Sequence, residues 1–249
     1  MTMSLDTVRK TFERLGREDP LYGVLTDHKR RHNKWDPVEF FETGVAEVTR
    51  MMNSMQAVPL DAPREHALDF GCGVGRLTLA LGAHFERVVG VDIADTMIAR
   101  AREYNTLGDR ITYLVNTRDD LSLLATASFD FVYSSIVLQH IPPESAKRYI
   151  AEFMRLLRPG GVAVFHVPSG KPYAPGSLGA MWYRVRREYL RRAWKLIRGR
   201  APYEMHYVPR AEVESIVRDG DAELVHRANV AAENFMYYVR KRGGARGEA

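Results

Sequence analysis

The sequence predicts an α/β fold: a doubly wound seven-stranded sheet, last strand antiparallel, with helices on both faces. An N-terminal helical lid and a helical insertion after strand five complete it. Three observations carry this. Short apolar runs alternate with stretches of helical periodicity from about residue 67 onward. The first run, 67–70, passes directly into the glycine-rich turn Gly71-Cys72-Gly73-Val74-Gly75. The last two runs, about 223–228 and 235–240, are close enough in sequence to form a hairpin, which reverses one strand.

The elements follow in order. Leu5, Val8, Phe12 and Leu15 fall at helical spacing, and Asp19-Pro20 breaks that helix. A second helix starts with Asp36 as N-cap, Pro37 in its first turn and Glu39 completing a capping-box-like pair. Its predicted apolar stripe is Phe41, Val45, Val48, Met52 and Met55, and Pro59 to Pro63 link it to the core. Strands then fall at 67–70, 87–91, 111–115, 129–134 and 162–167. Helices fall at 76 to about 84, 95–104 and 144–157, the last ending before Pro159-Gly160-Gly161. Another helix, 209–218, is stopped by Gly220 ahead of the hairpin. This divides the chain into an N-terminal lid (1–60), a core (61–240) with an inserted basic cap (169–205), and a flexible tail (241–249).

With 249 residues, 45% of them hydrophobic, the chain can build one sizeable domain plus a cap. No run of about 18 apolar residues is present, so no membrane-spanning helix is expected. Residues 1–17 are polar and lack the apolar centre of a secretory signal. The single cysteine, Cys72, cannot form an internal disulfide and fits a reducing, cytoplasmic setting. It also excludes a cysteine-held iron–sulfur cluster. No acidic cluster suggests a catalytic magnesium, so no metal is expected. There is no repeat or low-complexity tract, and the net charge of +5 is concentrated in the insertion.

The glycines at 71, 73 and 75 let backbone approach a ligand closely and adopt positive φ. Their spacing is G-x-G-x-G, one residue short of the dinucleotide fingerprint. Asp92 ends the second strand, 17 residues past Gly75, where a carboxylate can grip ribose hydroxyls. Competing readings are a tight turn without ligand, a nicotinamide site, and Asp92 as a helix N-cap, a role Asp95 serves equally well.

Together these residues resemble the cofactor site of the class I S-adenosylmethionine-dependent methyltransferases, and the resemblance covers roughly 61–240. Asp69 to Gly75 match the family's first motif and Asp92 its ribose acid, with Ile93 and Met97 just beyond. Asn116, Thr117 and Arg118 stand where the family has its adenine loop, with Thr117 in place of the usual acid. The run 129–135, with Ile136 and ending at His140, is similar to the fourth strand and the turn under the methionine portion. Leu156 to Gly161 match the turn before strand five. The resemblance implies S-adenosyl-L-methionine as cofactor, held by Asp69, Gly71, Gly73, Gly75, Asp92, Ile93, Met97, Asn116, Thr117, Arg118, Ser134, Ser135 and Ile136. Trp35, with Phe40 and Phe41, is expected to lie over it as part of the lid.

Methyl transfer to a hydroxyl is helped by a general base. His140 and His166, at the carboxyl ends of strands, are the candidates, with His206 and Tyr207 as further possibilities. His28 and His32 lie among charged residues and read as surface or lid positions. Members of the family that methylate amino groups of bases or glutamine often carry an Asn/Asp-Pro-Pro-Tyr-like turn after strand four, where this chain has Ser134-Ser135-Ile136-Val137, so nucleic acid is not an expected partner. The expected acceptor is an oxygen on a small molecule. A helix expected over 178–198 sets Trp182, Val185 and Tyr189 on one face and Arg184, Arg187 and Arg191 on the other. It reads as a solvated cap, as a peripheral contact with anionic lipid, or as a grip on an anionic or lipid-like acceptor. A non-catalytic, cofactor-binding subunit is the remaining alternative.

Overall fold

The structure, a computed structural model, describes residues 4–170, 182, 205–231 and 234–243. The N-terminal part holds α1 (Leu5–Glu18), α2 (Pro20–Val24) and α3 (Pro37–Ala57). The core then runs β1 (His66–Phe70), α4 (Arg76–Leu81), β2 (Arg87–Asp92), α5 (Asp95–Tyr104), β3 (Ile111–Val115) and β4 (Phe129–Ser134). It continues through α6 (Pro143–Leu156), β5 (Leu157–Pro168), α7 (Arg210–Asp219), β6 (Ala222–Ala231) and β7 (Asn234–Lys241). The seven strands lie in the order β3-β2-β1-β4-β5-β7-β6. β1 to β5 are parallel, and β7 runs antiparallel to both β5 and β6. The chain leaves β1 toward β2 on one side and returns as β4 on the other. The crevice at that reversal is where open α/β sheets bind ligands.

The two faces of the sheet bury separate cores. On one, Phe70, Tyr149, Ile150, Phe153 and Phe165 cluster under α6 and α7. On the other, Phe131, Tyr133 and Val164 meet Val48, Met52 and Met55 of α3 and Leu77 and Leu81 of α4. A third cluster joins Leu15, Leu21 and Phe40 to Val74 and Met97. Each fully buried side chain of this size contributes about 1.5–3 kcal/mol.

Three local expectations are corrected. The buried stripe of α3 is Phe40, Gly44, Val48, Met51, Met52 and Met55, while Val45 is 57% exposed. Gly44 sets this rotation: a Cβ there would sit 2.4 Å from the Arg76 carbonyl oxygen, so α3 presses on α4 at a residue with no side chain. Asp36 accepts from the Glu39 N–H as a cap should, but the Glu39 carboxylate pairs with Arg30. Strand β5 begins at Leu157, because Pro159-Gly160-Gly161 is absorbed as an irregularity in its pairing with β4. The helix expected over 178–198 lies outside the described residues except for Trp182, which is exposed. Residues 244–249 of the expected tail also lie outside them.

Helix α5 is capped from afar. Its N-cap is Ala94, which offers no side-chain acceptor. The Glu13 carboxylate of α1 accepts the Asp95 N–H at 2.7 Å, and its carbonyl accepts the Thr96 hydroxyl at 2.9 Å. Gly16 lies against Thr96 at the same junction. Asp95 is thus a first-turn residue and not the cap.

Candidate active site

A cavity of about 300 Å³ opens over the carboxyl ends of β1, β2 and β4. Its floor is the first part of the glycine turn, Gly71 to Gly73, whereas Gly75, expected to hold the cofactor, lies off the lining against Tyr113. Gly71, Gly73 and Gly75 adopt φ of 76°, 54° and 87°, values that disfavour any side chain. A Cβ on Gly71 would stand 2.3 Å from Val137, and one on Gly73 2.6 Å from Val24. Both valines line the cavity, so the walls leave no room for a Cβ on the floor.

Asp92 joins the turn to the end of β2. Its Oδ2 accepts the Gly73 N–H and its Oδ1 the Ala94 N–H, each at 2.9 Å. Burial raises its pKa, and N–H bonds from Ala94, Gly73 and Ile93 act against the rise. An ionised carboxylate has about four acceptor positions, so lone pairs remain for a diol. Ile93 and Met97 line the wall beside it.

The remaining expected cofactor residues divide. Ser135 and Ile136 line the cavity, whereas Ser134 is fully buried and donates to the Phe70 carbonyl at 3.1 Å, tying β4 to β1. Ile136 adopts φ of 62°, a strained conformation for a β-branched residue, at the cavity edge. Asn116 lines the cavity, but its amide donates to the Asp120 carbonyl at 2.7 Å and so shapes its own loop. Thr117 and Arg118 point outward and do not line the cavity.

Asp69 also lies off the cavity. It is 1% exposed and accepts the Thr78 hydroxyl at 2.6 Å, which fastens α4 to β1 beneath the turn. Burial pushes its pKa up to about 7. Trp35 is placed differently from the expectation. Its indole donates to the Leu25 carbonyl and packs edge-on against Phe40, away from the cavity lining. Leu5, Val8 and Phe12 of α1 and Gly23 and Val24 of α2 form the cover instead, because α3 is drawn onto α4.

The two histidines separate. His140 lines the cavity in a single 3-10 turn after β4, edge-on to Phe12 at 6.1 Å. The Gln139 amide nitrogen lies 3.1 Å from its Nε2. His166 is buried within β5, is absent from the cavity lining, and burial lowers its pKa. Its alternation with Val162 and Val164 turns it to the α3 side of the sheet. His206 is held beside the site by its N–H on the Gln139 carbonyl at 2.7 Å, which brings Met205 into the lining. Tyr207 is partly exposed, and His28 and His32 are surface residues.

Sequence reasoning missed Arg76, Tyr149, Gln139, Val24 and Met205 as cavity residues. Arg76 is visible in hindsight as the residue opening α4 directly after Gly75. The others carry no local signal.

The family profile described as a methyltransferase domain matches residues 68–165. The chain is 30% identical over 196 residues to a ubiquinone biosynthesis O-methyltransferase of Methylococcus capsulatus, covering 78% of this chain and 77% of that protein. The chain belongs to the S-adenosylmethionine-dependent methyltransferases. A protein of the same name from Xanthomonas oryzae pv. oryzae is 29% identical over 168 residues, 66% of this methyltransferase and 65% of that protein. Among solved structures, magnesium protoporphyrin IX methyltransferase from Synechocystis PCC 6803 with bound SAH shares the fold, with a TM-score of 0.60. It is 21% identical, covering 95% of this chain and 99% of that one.

The site suits the family's cofactor on its own chemistry. Asp92 retains acceptors for ribose hydroxyls, the glycine turn admits a ligand against backbone, and Ile93 and Met97 offer apolar surface to a purine. Among the described residues, no helix is long and apolar enough to cross a membrane.

Proposed function

We propose that this methyltransferase methylates a hydroxyl oxygen on a small molecule with an apolar body. One observation carries the reading: His140 stands in the wall of a cavity whose exposed edge is mainly apolar. Ile136 and Met205 line the cavity and are 40% and 49% exposed, which marks its mouth, and Thr26 is the exposed polar residue of the lining. The relatives named for O-methyl transfer in ubiquinone biosynthesis support the choice of oxygen.

S-adenosylmethionine, when bound, supplies a methyl group activated by a sulfonium leaving group. The protein's share is alignment, exclusion of water and handling of one proton. Val24 and Phe12 close the cavity from above, and Val137 closes it beside Gly71. The Gln139 amide donates to His140 Nε2, which keeps the proton of the neutral ring on Nδ1. The acceptor hydroxyl displaces that amide and gives its proton to Nε2.

The test is transfer of a labelled methyl group to matched phenols, anilines and thiols, with and without an alkyl tail. A methyl ether from the tailed phenol is expected. His140→Ala should lower kcat by about 10²–10⁴-fold while leaving S-adenosylhomocysteine affinity unchanged. An N-methylated product, or an unaltered kcat in that variant, would overturn the reading.

A further inference from the structure

Glu13 fastens the cover of the cavity to the core. Helices α1 and α2 supply Leu5, Val8, Phe12, Gly23 and Val24 to the lining, and α1 packs chiefly on α5 and α2. The Glu13 carboxylate accepts the Asp95 N–H at 2.7 Å and the Thr96 N–H at 3.4 Å, and its carbonyl accepts the Thr96 hydroxyl at 2.9 Å. Three residues on, Gly16 brings α1 against Thr96. Burial works to raise the pKa of Glu13, but the bonds from Asp95 and Thr96, with the charge of Arg17, outweigh it and hold the carboxyl below its ordinary range. The contact is therefore made by an ionised group.

The helix across the contact depends on it. A helix leaves its first N–H groups without intrahelical partners, and α5, with Ala94 at its N-cap, has no side-chain cap of its own. Asp92 accepts the Ala94 N–H, and Glu13 takes the next two. Two carboxylates, one at the end of β2 and one from the cover, thus share a single turn. Burial is the main cause that raises the pKa of Asp92, and the charge on Glu13 adds to it. Hydroxyls donating to Asp92 favour its charged form and ease that repulsion, so an occupied site favours a closed cover. The cover also rests on the floor. Val24 fills the space that a Cβ on Gly73 would take, and Gly23 lies against Met97.

We infer that Glu13 is a latch, coupling closure of the α1–α2 cover to occupation of Asp92 through the first turn of α5. It is a positioning residue, since it lies off the cavity lining. The inference rests on the cofactor assignment above. Coupling is reciprocal: a closed cover tightens the ligand by the same factor as the ligand tightens the cover.

The test is hydrogen–deuterium exchange of the α1 amides with and without S-adenosylhomocysteine, beside stopped-flow rates of its binding and release. In the unaltered protein the ligand should slow α1 exchange by about 5- to 150-fold, the span of ordinary coupling energies. Glu13→Ala should remove most of that protection and speed release by about 2- to 30-fold, the factor a helix cap is worth. Glu13→Gln keeps an acceptor and should fall between. The β4 amides report on folding and should be unchanged in each variant. A plain structural cap is separated from a latch by Glu13→Ala/Ala94→Ser, which gives α5 an N-cap of its own. This variant should regain protection of α5 and leave α1 indifferent to the ligand. Ligand-dependent protection of α1 in the double variant, or α1 exchange that ignores the ligand in the unaltered protein, would overturn the latch alone. If S-adenosylhomocysteine does not bind the unaltered protein, the cofactor reading falls and the latch falls with it.

Discussion

The two ends of the cavity are built by different means. The nucleoside end is backbone: Gly71 and Gly73 at positive φ, fixed by N–H bonds from Gly71 to the Val91 carbonyl and from Gly73 to one carboxylate, Asp92. The other end is side chains drawn from distant elements: Leu5 and Phe12 of α1, Val24 of α2, Ser135, Ile136, Val137, Gln139 and His140 after β4, and Met205. A backbone floor accepts almost no substitution, because its geometry is the binding surface. A wall of side chains is open to replacement one residue at a time, and so it is the end that selects the acceptor.

The largest effect should follow from giving the floor a side chain. Gly71→Ala places a Cβ 2.3 Å from Val137 at φ of 76°. The left-handed backbone costs about 1–2 kcal/mol and the overpacking about 1–3 kcal/mol. Thermal denaturation should therefore show a loss of roughly 2–5 kcal/mol, together with loss of S-adenosylhomocysteine binding. Adding Val137→Ala should return the packing share and not the backbone share. If the double variant recovers fully, the positive φ is not a requirement of the site.

Next in size is Asp92→Ala. It strips acceptors from the Gly73 and Ala94 N–H groups and from any diol. Affinity for S-adenosylhomocysteine should fall about 10- to 100-fold, with Asp92→Asn in between. An unaltered titration would place the nucleoside elsewhere.

This contrast also explains what was legible in the sequence. Backbone demands are written in residue types at short spacing, so Gly71, Gly73, Gly75 and Asp92 could be found by inspection. The positions of the strands and helices along the chain follow from alternating periodicity for the same reason. Side-chain pairings across long separations leave no such trace. Glu13 caps α5 across 82 residues, and Glu47 reaches Tyr133 across 86. The rotation of α3 escaped because its contact residue is Gly44, which no hydrophobic pattern counts. Asp69 reads as a ligand residue from its place in the motif, yet it spends its acceptor on Thr78.

An effect visible only against pH tests that placement of Asp69. Burial holds its folded pKa up to about 7 against an ordinary value of 3.8. The folded chain thus binds the extra proton across that window. Its contribution to stability is full below the lower value and declines as pH rises toward the upper one. Asp69→Asn keeps an acceptor for Thr78 and cannot ionise. Its melting temperature should gain on that of the unaltered protein between about pH 4 and pH 7 and level off above. A constant difference would mean that Asp69 is ionised throughout, as a group facing an open site would be.

The smallest change distinguishes the two parts of the N-terminal region. If α3 and its approach formed the cover, Trp35 would touch the cofactor. In the structure its indole donates to the Leu25 carbonyl at 3.2 Å, and Arg30 lies over its ring at 5.3 Å. Trp35→Phe removes the hydrogen bond and keeps the aromatic face. Stability should fall by about 1 kcal/mol, with S-adenosylhomocysteine affinity held within about twofold. Phe12→Ala removes a ring from the cavity wall and should shift the acceptor KM. A large loss of cofactor affinity from Trp35→Phe alone would return α3 to the cover and make the buried face of that helix a consequence of closure.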